Sequence, residues 1–397
     1  MKHALVRLAI LAGLAMAGFS ACQDAIFATI ETEKKAATNT LSETLNVADM
    51  ETTTPGAVYT VAAGRIFQGT LSQPFEGTIS WNPNSDSSKT PYNPGNLICN
   101  AMGMFGGLLY GGFIDSSGRG YLYQSDSSFS FNPGTRVIAY ASPGQVTMVR
   151  AAGSYLFTGA ETAASTFELD FSSTPGTAGS WAAAGGSAAT PPKGLAQPVR
   201  GVGFDGANYW AVAGDRTISY VFQGATPATM TEVYPSGTLA SALAGIGSDQ
   251  INGLWSDPVN AGRVFILTRT KGVFFTPDHG TTWINPSDDA PSGGTGAAPF
   301  LSVGGPVDGT NGNTYLFGSD GYGYYYWNIT ADRQTFTRFD DTTITLYTAS
   351  VANILVDNSL GQENVLLGTN AQGVWRGVFS TSSAKVLTGT NEYWIHE

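Results

Sequence analysis

The chain has 397 residues, and only 12% of them are charged, about half the roughly 25% of a typical globular protein. A formal net charge of −11 with no run of Lys and Arg excludes a basic nucleic-acid-binding protein, and an aromatic content of 12% excludes long disordered segments. The 50 glycines, the many aromatic residues and the scarcity of long charged side chains predict an all-β protein rich in turns.

The N-terminal segment has the pattern of an export signal. Lys2 and Arg7 form a basic region before an apolar stretch, residues 8–19, that is too short to span a bilayer. The stretch runs into Phe19-Ser20-Ala21-Cys22, which resembles the lipobox of bacterial lipoproteins, although Leu is commonest where Phe19 stands. The resemblance implies cleavage after residue 21 and a lipid on Cys22. The alternative is an ordinary signal peptide that leaves Cys22 as a plain thiol.

Three segments follow from this interpretation. Residues 1–21 are the predicted signal peptide, residues 22–43 the lipidated N-terminus and tether, and residues 44–397 a single β domain. In enteric bacteria an Asp directly after the lipidated cysteine favours retention in the inner membrane, but here Gln23 stands at that position. The lipid on Cys22 is therefore expected to anchor the protein in the bacterial cell envelope, at the outer membrane or cell surface.

An internal repeat runs through the β domain. A short apolar strand, a small or polar turn and an aromatic-rich strand recur at intervals of 47 to 55 residues; the first of these strands begin at Val58, Leu108, Tyr155, Tyr209, Val264, Tyr315 and Val365. Seven recurrences at this spacing predict a β-propeller of seven blades, each with four antiparallel strands A to D. Strand A is expected to end in an Asp-led turn, as at Asp205-Gly206 and Asp257-Pro258. Residues 45–50 and 393–396 are both candidates for the strand that closes the ring.

One turn carries a recognisable motif. The segment 276–283 reads Thr-Pro-Asp-His-Gly-Thr-Thr-Trp and resembles the Asp-box, or BNR, motif of bacterial sialidases, sortilin-type receptors and photosystem II assembly propellers. Its motif positions are Thr276, Asp278, Gly280, Thr282 and Trp283. The resemblance implies a structural turn between strands C and D, away from the ligand face. Aligning the repeats places Asp126 on Asp278 and Phe131 on Trp283 as a degraded copy.

The same resemblance implies that ligands bind on the opposite face, which the B–C and D–A loops form. Polar and charged residues of the predicted B–C turns are therefore the ligand-face candidates: Arg65, Asp115, Arg119, Glu161, Asp215, Arg216, Arg269, Lys271, Asp320, Asn370 and Gln372, with Tyr322 from the adjacent aromatic run. The alternative is that these turns are polar only because turns are exposed.

Two function classes remain open from the sequence. The favoured one is a non-catalytic binding or scaffolding module for a glycan or a protein; the other is a glycoside hydrolase related to the sialidases. After removal of the signal only His279 and His396 remain, so no His-based metal site or Ser-His-Asp triad is predicted, and neither is any cofactor. No catalytic residue is identified, because the arginine set and the carboxylate pair of the hydrolases are not recognisable.

Overall fold

The computed structural model describes residues 47–53, 56–71, 79–82, 93–131, 134–140, 144–163, 166–185, 193–215, 217–258, 260–284, 302–308, 314–319, 324–328, 337–338, 351–357, 363–369, 373–379 and 394–396. The predicted signal peptide, the tether and Cys22 lie outside these residues. Among the described residues, no helix has the length and apolar character needed to cross a membrane.

The described strands form seven antiparallel sheets, each built from consecutive strands of the chain. The first sheet contains β1 (Val47–Thr52), β2 (Ala57–Ala62), β3 (Arg65–Thr70) and β4 (Ser80–Asn82). The second contains β5 (Ile98–Phe105), β6 (Leu108–Ile114), β7 (Gly120–Gln124) and β8 (Thr135–Ala139). The third contains β9 (Gln145–Ala152), β10 (Tyr155–Ala163), β11 (Thr166–Ser172), β12 (Ala182–Ala183) and β13 (Lys193–Leu195). In the third sheet both β12 and β13 pair with β11.

The fourth and fifth sheets contain β14 (Val199–Phe204), β15 (Tyr209–Gly214), β16 (Ser219–Gly224) and β17 (Thr231–Tyr234); and β18 (Ile251–Ser256), β19 (Val264–Thr268) and β20 (Val273–Thr276). A 3-10 helix, Pro227–Thr229, precedes β17. The last two sheets contain β21 (Ser302–Asp308), β22 (Thr314–Ser319), β23 (Tyr324–Asn328) and β24 (Thr337–Arg338); and β25 (Val351–Asp357), β26 (Glu363–Thr369), β27 (Val374–Phe379) and β28 (Trp394–His396).

The second strand of each sheet lies where the sequence repeat predicts it. These strands begin within two residues of the predicted positions, and the all-β expectation is confirmed. Strand β15 reads Tyr-Trp-Ala-Val-Ala-Gly and is buried at every position, because neighbouring sheets cover both of its faces. A short run of apolar residues is the pattern of such a doubly covered strand.

The first strands of the sheets contact one another in succession. Strand β1 contacts β5, and the contacts continue through β9, β14, β18, β21 and β25, which in turn contacts β1. Both strands considered for ring closure are present, but in different sheets: β1 is the first strand of the first sheet, and β28 is the last strand of the last sheet.

Apolar clusters fill the spaces between neighbouring sheets. One joins Tyr59 and Ile66 of the first sheet to Met102 and Phe113 of the second, and another joins the last sheet back to the first. Each fully buried large side chain contributes about 1.5–3 kcal/mol relative to exposure. The packing between sheets, more than hydrogen bonds between them, therefore holds the sheets together.

Candidate functional site

A large cavity lies between the first strands of the sheets. It has a volume of about 890 Å³, and residues of β1, β5, β9, β14, β18 and β25 line it. On the fourth sheet the lining extends from Pro198, before β14, to Gly206, after its end. We call this space the first-strand cavity. Its volume lies within the roughly 300–1,000 Å³ of small-molecule and cofactor sites.

A β-bulge recurs near the start of the first strands. The register shifts there in six of the seven, so that one residue of each has no partner on the second strand; these residues are Ala48, Asn100, Thr147, Arg200, Asn252 and Ala352. Bulges re-aim side chains and occur often beside binding sites. Four consecutive sheets thereby place a polar bulge residue on the cavity lining: Asn100, Thr147, Arg200 and Asn252. We call these four residues the bulge rim.

Deeper along the first strands, Arg150 joins three sheets. Its Nη2 donates to Oδ1 of Asp49 at 2.6 Å, and its Nη1 donates to Oε1 of Glu51 at 3.1 Å and to the carbonyl oxygen of Met102 at 2.8 Å. Asp49 is almost fully buried and also accepts the backbone N–H groups of Met50 and Met102, both at 3.0 Å. Its charge is therefore fully compensated within the cavity wall.

Glu51 is the titratable group of this cluster. Burial raises the pKa of Glu51 to about 8, with Arg150 opposing that shift and the negative charge of Asp49 adding to it. Burial therefore favours the neutral form of the Glu51 carboxyl. Burial acts to lower the pKa of Arg150, but the charges of Asp49 and Glu51 raise it above its usual value, so the guanidinium stays charged.

The predicted ligand-face residues that the structure describes lie elsewhere. Seven of the B–C turn candidates are among the described residues, and none of them lines the first-strand cavity. They are Arg65, Asp115, Arg119, Glu161, Asp215, Arg269 and Lys271. Arg216, Asp320, Tyr322, Asn370 and Gln372 fall outside the described residues.

Several of these candidates have partners within their own turns. Asp115 accepts the hydroxyl and N–H of Ser117 and the N–H of Arg119, and these hydrogen bonds lower its pKa to about 2. Asp215 accepts the N–H and hydroxyl of Thr217 in the same way. The Nε of Arg119 donates to the carbonyl oxygen of Tyr140 at 2.9 Å. The carboxylates thus cap turns, a common use of Asp in tight loops.

Hydrogen bonds to one carboxylate close the turn after β20. Asp278 accepts the Thr282 N–H at 2.8 Å, the Thr282 hydroxyl at 2.7 Å and the Thr276 hydroxyl at 3.0 Å. Gly280 has a φ of 89°, and a Cβ there would lie 2.7 Å from the Trp210 ring. The rings of Trp283 and Trp210 also pack in a T-shaped arrangement, with 5.9 Å between their centroids. The turn therefore joins the fifth sheet to the fourth.

The second sheet has a related turn. Asp126 accepts the N–H of Ser130, four residues on, at 2.9 Å, as Asp278 accepts that of Thr282. Phe131 is fully buried. The carboxylate geometry matches the alignment of Asp126 with Asp278.

His279 of the same turn contacts the fourth sheet. Its Nδ1 lies 3.0 Å from Oδ1 of Asp205, whose Oδ2 accepts Nε1–H of Trp210 at 2.7 Å. Burial acts to raise the pKa of Asp205, but hydrogen bonds from Asn208, Trp210 and neighbouring groups lower it overall. The Asp205 carboxylate is thus ionised and joins the two sheets at this point.

The bulge rim and the Arg150 cluster are the cavity residues that the repeat analysis missed. A local signal for the rim exists: in Val199-Arg200-Gly201, Ile251-Asn252-Gly253 and Cys99-Asn100-Ala101 a polar residue stands between an apolar and a small residue. An isolated glycine in a strand pattern indicates a bulge or a close backbone approach. No comparable local signal connects Arg150 with Asp49.

Comparison with solved structures agrees with this architecture. The chain is similar to YCF48 bound to D1 peptide, with a TM-score of 0.54 and 12% identity over 86% of this chain and 95% of that chain. It is similar to YCF48 from Cyanidioschyzon merolae, with a TM-score of 0.54 and 16% identity over 86% and 97%. The WD40 β-propeller domain of Doa1 gives a TM-score of 0.52 and 10% identity over 84% and 94%.

No protein-family model and no curated protein match the chain. At these identities the structural likeness shows the fold alone. The chain is an all-β protein of the β-propeller class.

Proposed function

We propose that this protein is a lipoprotein of the bacterial cell envelope whose seven sheets are the blades of a closed propeller, and that it binds a segment of a partner protein without catalysis. The observation that carries the binding role is the first-strand cavity, with its polar bulge rim at the end where the first strands begin. Binding sites are characteristically concave, with a few well-placed polar groups.

Contacts between the last and first sheets support ring closure. Nδ2 of Asn353 donates to the carbonyl oxygens of Val47 at 3.2 Å and Ala48 at 3.0 Å, joining residues more than 300 positions apart. Leu366 and Val374 of the last sheet share an apolar cluster with β1. Closure removes exposed sheet edges, which suits a β-rich chain.

A peptide ligand is favoured over a glycan by one comparison. The similar fold of YCF48 has been solved bound to D1 peptide, so a propeller of this shape can hold a peptide. The cavity of about 890 Å³ offers a peptide segment both polar groups, such as Asn252, and apolar ones, such as Leu254 and Trp255.

Photo-crosslinking from the cavity tests the binding role. A photoreactive amino acid replaces Asn252 in the full-length protein, and irradiation of intact cells is expected to give a discrete adduct with another protein. The control position is Ser127, which is exposed in the turn after β7. The proposal fails if the photoreactive residue at position 252 gives no adduct or gives the same adducts as the control at position 127. It also fails if the only adduct resists proteases and yields sugar, because the ligand is then a glycan.

Lipidation is tested separately. Cys22→Ser is expected to abolish incorporation of a labelled fatty acid and to release the protein from the membrane fraction. Cys99→Ala is the matched control, because Cys99 is the buried cysteine of the second sheet and should leave lipidation unchanged. Labelling that persists in Cys22→Ser would contradict the envelope anchor.

A further inference from the structure

The bulge rim is rich in hydrogen-bond donors. It presents the amides of Asn100 and Asn252 and the guanidinium of Arg200 to the cavity, while the hydroxyl of Thr147 donates to the carbonyl oxygen of Gly159 at 3.2 Å. Nδ2 of Asn100 is buried and has no hydrogen-bond partner among the described residues. A buried donor without an acceptor costs about 1–3 kcal/mol, and a ligand acceptor that reaches Asn100 would recover part of that cost.

Arg200 is held in place but its charge is not paired. Its Nε donates to the carbonyl oxygen of Gly214 at 3.2 Å, which fixes the guanidinium against the second strand of its own sheet. Within the described part of the chain, Arg200 forms no salt bridge. Asp215 is the acid whose charge acts on Arg200, and the Asp215 carboxylate is already engaged by Thr217 and Ile218.

Each acid of the cavity wall has ion-pair or hydrogen-bond partners outside the bulge rim. Asp49 is bound by Arg150 and two backbone N–H groups, and Asp205 is bound by Trp210 and the turn that follows it. Asp257 accepts from Asn260 and lies 3.5 Å from Nη1 of Arg263. Oε1 of Glu51 accepts Nη1–H of Arg150 at 3.1 Å. Among the described residues, the rim therefore carries one positive charge, on Arg200, that no acid of the cavity wall pairs with.

The geometry points to a carboxylate of the bound peptide as the group that the bulge rim receives, with Arg200 as its charged partner and Asn100 as a second donor. This inference rests on the proposed peptide-binding function. A guanidinium recognises a carboxylate through two parallel N–H···O bonds, and charge-assisted bonds of this kind are roughly twice as strong as neutral ones. The carboxylate is either the C-terminus of the peptide or an Asp or Glu side chain.

Defined peptides distinguish these two sources. A random heptapeptide library is selected on the full-length Cys22→Ser protein, and each selected sequence is synthesised with a free C-terminus, as its C-terminal amide, and with Asp and Glu replaced by Asn and Gln. If the rim binds the C-terminal carboxylate, the amidated peptide should bind about tenfold or more weakly than the free acid. If the rim binds an Asp or Glu side chain, the peptide with Asn or Gln in its place should bind more weakly by a similar factor. Selected peptides that bind equally well in all three forms overturn the inference.

Variants of the rim identify the residues. Arg200→Gln is expected to weaken the acidic peptide about tenfold or more and to remove the preference for acid over amide. The matched control is Arg136→Gln, which changes an exposed arginine of β8 away from the cavity and should leave binding unchanged. Equal affinities for Arg200→Gln and the unchanged protein would contradict the assignment.

Asn100→Leu separates a ligand-binding role from a structural one. Replacing a buried amide nitrogen that has no acceptor should raise the thermal unfolding midpoint. Binding of the acidic peptide should fall in the same variant, because residues of a binding site are often less than optimal for stability. A variant that loses stability and keeps its affinity for the peptide would overturn the role of Asn100.

The outcomes for the two proposals are distinct. Peptides that bind the cavity without any preference for a carboxylate leave the proposed function intact and overturn this inference. Failure to select any peptide, together with no adduct from Asn252, overturns the proposed function itself.

Discussion

Nη2 of Arg150 lies 2.6 Å from Oδ1 of Asp49, across 101 positions of sequence, and the bond spans from the third sheet to the first. The second sheet, which lies between them, takes part through Met102. Arg150 donates to the carbonyl oxygen of Met102, and Asp49 accepts its N–H group. The Arg150–Asp49 ion pair and its hydrogen bonds to Met102 thus connect the first strands of three sheets.

Breaking this pair should destabilise the fold. Asp49→Asn is expected to lower the free energy of unfolding by about 2–3 kcal/mol, less than the roughly 3–5 kcal/mol for a fully buried pair, because the Arg150 side chain keeps an exposure of 36%. Chemical denaturation measures the change. The double variant Asp49→Asn with Arg150→Met should cost less than the two single changes added together. Strict additivity would show that the two side chains do not interact.

Glu51 should give the protein a recognisable pH dependence. Because its pKa rises from 4.5 to about 8 on folding, the folded protein holds one more proton than the unfolded chain between these values. This group therefore makes the unfolding free energy fall as the pH rises from about 4.5 to about 8. Glu51→Gln is expected to lose that component, so its stability advantage over the unchanged protein should grow with pH in this window. A difference that stays constant with pH would contradict the assignment.

The turn of Asp278 should contribute to stability and not to binding. Asp278→Ala removes the acceptor for the N–H and hydroxyl of Thr282, and the expected cost is about 1–3 kcal/mol. Asp278→Asn keeps one acceptor oxygen and should cost less. Thermal unfolding measures both variants, and an unchanged midpoint for Asp278→Ala would contradict a structural role.

Close approach of two first strands makes a glycine necessary at one position. A Cβ on Gly201 would lie 2.6 Å from the backbone nitrogen of Leu254 on β18, so Gly201→Ala must move one strand and should destabilise the protein. Gly253→Ala is the matched control, because the nearest atom to its Cβ, Cδ1 of Leu267, would lie 3.5 Å away in ordinary contact. Similar unfolding midpoints for the two variants would contradict this packing.

The strand positions could be predicted because their signal is local. Runs such as Tyr209–Gly214 are apolar from end to end, and turns led by Asp205 or Asp257 follow the first strands as expected. The interactions of Asp278 could also be predicted, since they lie within four residues of it.

The binding surface could not be predicted in the same way. Whether Arg200 faces the cavity depends on a register shift against β15, which is a property of strand pairing and not of composition. The propeller resemblance puts the ligand face at the B–C turns, and the described acids there, such as Asp115, accept hydrogen bonds from their own turns. The contact of Arg150 with Asp49 arises from packing between sheets that are distant in sequence.

Disulfide trapping tests whether the ring of sheets closes between the last sheet and the first. Cysteines replace Ala48 and Asn353 in the full-length Cys22→Ser protein, at positions where Nδ2 of Asn353 lies 3.0 Å from the carbonyl oxygen of Ala48. Mild oxidation should form a disulfide that closes a loop of about 300 residues and increases mobility on a non-reducing gel, far faster than in a control pair at Ala48 and Ser127. Equal and slow oxidation of the two pairs would contradict a closed ring.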